Sequence, residues 1–79
     1  MIDQVLMAIK DAFHPHDVEN HLVERGGRVF GSVRVIGSAN FDALDDIRRQ
    51  RLLWQQLRGR LKAEAVRVGP VTLEPTNRG

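Results

Sequence analysis

Apolar residues recur over the first thirteen positions at helical spacing. Ile2, Val5, Leu6, Ile9 and Phe13 fall three and four apart, which predicts a helix over 2–13 with one apolar face. His14-Pro15-His16 ends it, because proline disfavours helical backbone in the residue before it. Asp17 to Glu24, with Val18, Leu22 and Val23, reads as a strand. Gly26-Gly27 then supplies a hairpin turn, since glycine reaches positive φ without steric cost. Val29 to Ile36 reads as the second strand, with Val29, Val33 and Val35 on one face and Phe30 and Ile36 on the other. Gly31 inside it predicts a bulge or a close packing contact.

Gly37-Ser38-Ala39-Asn40 has loop composition. Asp42, with Asp45 three residues on, reads as a helix start: a capping oxygen, then acidic charge over the exposed N–H groups. The helix is predicted to run to about Lys62. Ala63 to Leu73 is strand-like through Val66, Val68, Val71 and Leu73, and Gly69-Pro70 splits it, as at an edge, a bulge or a short final strand. Glu74 to Gly79 is polar and is expected to form a frayed, flexible tail. The order α-β-β-α-β predicts one α+β domain over 1–79, a three-stranded sheet with helices packed on one face.

The longest helix carries the functional question. With Leu44 at zero on a helical wheel, Ile47, Leu53, Trp54, Leu57 and Leu61 fall on one side, which should pack on the sheet. Arg48, Arg51, Gln55, Arg58 and Lys62 form a basic stripe beside it. The stripe reads as a solvated face, with charge placed to suit the helix dipole, or as a ridge for an acidic partner or phosphate backbone. Gln50 lies among the apolar residues on this wheel, so its amide should sit at the edge of the stripe or bond to backbone.

Composition narrows the classes. There is no cysteine, hence no disulfide and no thiolate chemistry. Lys10 and Asp11 interrupt the N-terminal apolar turns, so no signal peptide is read there, and no apolar run approaches the roughly 20 residues of a membrane span. A soluble, cytoplasmic protein is expected. A net charge of +2 argues against generic nucleic-acid adhesion but leaves room for a local patch. No nucleophile elbow, phosphate-binding loop or HExxH motif is present, and Ser32 and Ser38 have no evident base partner. The reading is of a protein that is not an enzyme.

The run FDALDDIRRQRLLWQQL, Phe41 to Leu57, resembles the central helix region of BolA-like proteins through Phe41, Ile47, Arg49, Gln50, Arg51, Trp54 and Leu57. Val68 through Thr72-Leu73-Glu74-Pro75 is similar to that family's closing strand. Ile2 and Val5-Leu6-Met7 resemble the first helix of its short, acid-stress (YrbA-like) branch, in which glutamine can also stand at the position of Gln50. The resemblance implies a KH-like fold without a Gly-x-x-Gly clamp, and partnership with a monothiol glutaredoxin around a shared [2Fe-2S] cluster. The family gives that cluster a histidine just before the last strand and a His or Cys from the loop between the first two strands. Here Val66, or Arg67 in a register shifted by one, stands at the first place, and Glu24-Arg25-Gly26-Gly27-Arg28 at the second. None of these ligates iron, so a conventional shared cluster is not expected and the chain alone should bind no cofactor. What the resemblance leaves is a small adaptor or regulator, with Arg48, Arg49, Arg51, Arg58 and Lys62 as its partner-binding residues.

Two alternatives accompany this reading. His14-Pro15, His21, Gly26 to Phe30 and Val71 to Pro75 are similar to the cytosolic domain of cation-diffusion facilitators, which implies a metal-binding, dimerising domain. On that reading His14, His16 and His21 would bind zinc or another divalent metal, with Asp17 and Glu19 as further donors. The other alternative is a KH-like nucleic-acid-binding regulator using the basic stripe. Monomer and homodimer both remain open.

Overall fold

The computed structural model describes residues 1–76. Helix α1 spans Ile2–Phe13, as its periodicity predicts, and buries Val5, Ala8, Ile9 and Phe13. His14 closes it in the left-handed region, with its N–H donating to the Lys10 carbonyl. Strands β1 (Asp17–Arg25) and β2 (Arg28–Ile36) pair antiparallel in unbroken register from Asp17↔Ile36 to Arg25↔Arg28. Gly26 and Gly27 join them at φ 59° and 76°, the pair of positive angles that a two-residue hairpin turn needs. Gly31 has φ 130°, and a Cβ there would lie 2.5 Å from the His21 carbonyl oxygen. Its lack of a side chain is what lets β1 approach.

The segment read as one helix from Asp42 is two. Ser38 caps a short helix α2, Ala39–Asp42, by accepting from the Phe41 N–H at 3.1 Å. Asp45 then caps α3, Asp46–Leu61, by accepting from the Arg48 N–H at 2.9 Å. Asp42 therefore ends one helix rather than starting the other. The Ser38 hydroxyl is buried and also donates to the Phe13 carbonyl, tying the end of α1 to the start of α2. Above that bond the Phe13 and Phe41 rings meet edge to face at 5.1 Å.

Residues 63–67, expected as the start of a strand, belong to a 3-10 turn, Lys62–Arg67, which begins where Lys62 leaves the helix at φ 55°. Strand β3 is Val68–Pro75, parallel to β2. Between the pairs Val29↔Val68 and Gly31↔Val71 it carries one extra residue, so Gly69 and Pro70 together oppose Phe30. This is the bulge that Gly69-Pro70 foreshadowed. The expected tail is shorter than predicted. Glu74 and Pro75 belong to β3, and Thr76 Oγ1 donates to the Val35 carbonyl at 2.7 Å. The remainder of that tail, 77–79, lies outside the described residues.

The strand order is β1-β2-β3. Leu22, Val29, Val33, Val35, Val68, Val71 and Leu73 line its inner face, buried with Val5, Ile9 and Phe13 of α1 and with Leu53 and Leu57 of α3. The expected three-stranded α+β architecture, helices on one face, is the one found. The opposite face stays open, and there Arg34 bridges Glu19 at 3.5 Å and Glu74 at 4.0 Å across the three strands. Among the described residues no helix is long and apolar enough to cross a membrane.

Two glycines should respond oppositely to alanine. Gly31→Ala forces a Cβ onto backbone at positive φ and should cost roughly 1–3 kcal/mol. Gly59, inside α3 with nothing within 4 Å of an added Cβ, should gain roughly 0.5–1 kcal/mol on the same change. Urea unfolding of both variants checks the pair.

Candidate functional site

Leu53 and Leu57 set the buried direction of α3. Measured from their midpoint at about 100° per residue, Gln50 lies close to that direction, Trp54 and Ile47 on one flank, and Arg58 and Arg51 further round the same flank. The observed burial follows. Gln50 is half-buried and its Nε2 donates to the Val71 carbonyl at 2.8 Å, so the amide bonds to backbone and pins α3 to β3. Trp54 is half-buried against the core. Ile47, expected to pack on the sheet, is 71% exposed. Ile47 lies at the far edge of the predicted apolar side, about 100° from the direction that Leu53 and Leu57 actually bury.

Ile47, Gln50, Arg51, Trp54 and Arg58 line one shallow groove of about 370 Å³. Arg51 and Arg58 are exposed and, among the described residues, their guanidinium groups have no ion-pair or hydrogen-bond partner; the same holds for the Arg48 guanidinium. The floor is thus apolar and the rim cationic. Desolvated Trp beside Arg is the composition that carries most energy in protein interfaces.

Two members of the expected basic set serve the fold instead. Arg49 is only 13% exposed at its side chain; its Nε donates to the Phe41 carbonyl at 2.9 Å and its guanidinium lies 3.9 Å from the centre of the Phe41 ring. An Asp46 carboxylate at 3.6 Å holds its far side. Lys62 has left the helix, and its Nζ donates to the Gly59 carbonyl at 3.0 Å. Arg49 is thus held by the fold, Lys62 stays exposed with its Nζ on backbone, and Ile47 lies in the groove beside Arg51 and Arg58. Arg60 also turns inward and pairs with Asp11 of α1, fastening the two long helices.

The expected metal ligands do not converge. His14 lies past the end of α1, the His16 backbone is bound to Ile36 and Gly37, and His21 is paired with Ser32 well along β1. Among the described residues no three His, Cys, Asp or Glu side chains form a group able to hold a metal ion. The residues at the places implied for cluster ligands do not fit a [2Fe-2S] group either. Val66 is a bare hydrocarbon, 77% exposed; Arg67 is a cation paired with Glu64 at 3.2 Å; and the turn between β1 and β2 is two glycines.

No family model and no curated protein matches this chain. Among solved structures, a Bol-like protein from Babesia bovis matches with a TM-score of 0.69 at 16% identity, over 95% of this chain and 81% of that one. The chain has a BolA-like fold, the fold its sequence resemblance implied.

The division of labour among the arginines is testable. Arg49→Met removes a hydrogen bond and a ring contact and should lower stability by roughly 1–2 kcal/mol. Arg51→Met should leave the urea midpoint within experimental scatter.

Proposed function

We propose that this chain is a small non-enzymatic adaptor or regulatory protein of the BolA-like kind, working in the cytoplasm and binding a protein partner through the exposed flank of α3. One observation carries the reading: Ile47 stands in solvent beside Trp54, between guanidinium groups that nothing in the fold engages. An apolar side chain so exposed on an ordered helix contributes nothing to the domain's own core. Beside a half-buried tryptophan it extends an apolar strip, and Arg48, Arg51 and Arg58 favour an acidic surface opposite. The fold likeness and the Phe41–Leu57 resemblance point to a monothiol glutaredoxin as the class of partner. The absence of ligating side chains at Val66 and at the β1–β2 turn makes this a contact between proteins rather than one joined through iron.

Titration calorimetry with a purified monothiol glutaredoxin tests the proposal. Binding is expected, and Ile47→Asp or the pair Arg51→Glu, Arg58→Glu should weaken it by at least about tenfold, or ~1.4 kcal/mol. Arg34→Glu, on the far face of the sheet, should not. No heat at micromolar protein, or binding indifferent to the α3 changes, would reject the proposal.

A further inference from the structure

The uncovered face of the sheet is ordered along its length. Alternation from the buried Val29 and Leu22 places Arg25, Val23, His21 and Glu19 of β1 on that face, opposite Arg28, Phe30, Ser32 and Arg34 of β2. Beginning at the hairpin tip, the rows run Arg25–Arg28, then Val23–Phe30, then His21–Ser32 with Thr72 beside it, then Glu19–Arg34–Glu74. Cation, apolar platform, hydrogen-bonding groups and a closed ion network follow one another.

Three details single out the upper half. Arg25 and Arg28 face each other across the last rung of the hairpin and, among the described residues, neither has an anionic partner. Like charges directly opposite are unfavourable in a sheet, and an anion bridging them removes that repulsion. Phe30 sits on the central strand yet remains 37% exposed, with Val23 beside it at 42%. The β3 bulge is the reason its flank is open: the position next to it is Gly69, whose Cα carries no side chain, and an added Cβ would meet Phe30 Cβ at 3.6 Å.

We propose that this face binds a single-stranded nucleic-acid segment, with one base on the Phe30 ring, adjoining phosphates on Arg25 and Arg28, and base edges toward Ser32, Thr72 and His21. An aromatic on an open sheet face stacks a base of any kind, and cations beside it hold the backbone. A second copy of the chain fits poorly. Two-fold pairing that sets Phe30 on Phe30 brings the Arg25–Arg28 row onto the His21–Ser32 row, with no acidic partner, and pairing that joins it to Glu19 and Glu74 sets Phe30 on the hydrogen-bonding His21–Ser32 row, with no apolar partner for the ring. A duplex has no unstacked base to offer. This surface is separate from the α3 groove, so the inference stands or falls independently of the proposed partner.

The test is fluorescence anisotropy with short labelled mixed-sequence oligonucleotides, as single-stranded RNA, single-stranded DNA and duplex DNA, and with vesicles of anionic phospholipid. Single strands are expected to bind and duplex not to. Phe30→Ala should weaken binding by ~5- to 100-fold, the range of one lost base–aromatic stack. Gly69→Val keeps every charge, introduces no positive-φ strain and screens the ring; it should weaken binding similarly, guarding against a Phe30 variant that fails to fold. Arg25→Gln and Arg28→Gln should each reduce the salt slope by about 1. Arg51→Glu on α3 should leave single-strand binding unchanged. Equal affinity for duplex, preference for vesicles, indifference to both Phe30→Ala and Gly69→Val, or loss with Arg51→Glu would each overturn the proposal; preference between RNA and DNA would identify the natural ligand.

Discussion

A three-stranded sheet has two faces, and among the described residues both long helices pack on the same one. This constraint governs the molecule. The inner face takes valines and leucines because α1 and α3 remove it from water, and burial of apolar area is the main favourable term in folding. The outer face must remain wet, and its Glu19–Arg34–Glu74 row shows how that is met: side chains of opposite sign laid across all three strands. A small domain has little interior to spare, and among the described residues its inward polar groups are partnered except Arg60 Nε, which is buried with no hydrogen bond. Ser38 bonds twice, Gln50 reaches the Val71 carbonyl, and Arg49 satisfies the Phe41 carbonyl while covering its ring.

The same economy separates structural from available charge. Arg48, Arg49, Arg51, Arg58 and Arg60 look alike in the sequence, yet the geometry of α3 sorts them by direction. Arg49 and Arg60 lie near the buried side and are taken up by Phe41, Asp46 and Asp11. Arg48, Arg51 and Arg58 point away and meet nothing. The proposed binding surface thus consists of arginines that the core does not recruit, joined by an isoleucine that the core does not bury.

Much of the fold was legible from the chain. The first helix shows itself through period, the hairpin through Gly26-Gly27, the β3 irregularity through Gly69-Pro70, and the overall arrangement through the Phe41–Leu57 resemblance. What escaped was decided by tertiary contact. Ser38 becomes a cap because the end of α1 arrives beside it, which leaves Asp42 without that role. Residues 63–67 were read as strand, but Lys62 turns the backbone and the chain must first descend from helix to sheet. Three histidines near one another in sequence part company because a helix end and an extended strand separate them. On the candidate site, the basic stripe was visible, but which of its arginines the fold engages was not, since Arg49 is taken up by the carbonyl and ring of Phe41, a contact outside the helical period.

The mixed pairing of β2 has a kinetic corollary. Its antiparallel neighbour is joined through two glycines, whereas its parallel neighbour comes only after the whole stretch 37–67. Local closures are fast and distant ones slow, so the hairpin is expected to form early and the last strand to dock late. Until it does, the unsatisfied edge of β2 is a template that another unfolded molecule can occupy. The sooner α3 packs and delivers β3 to that edge, the shorter the interval in which it is exposed.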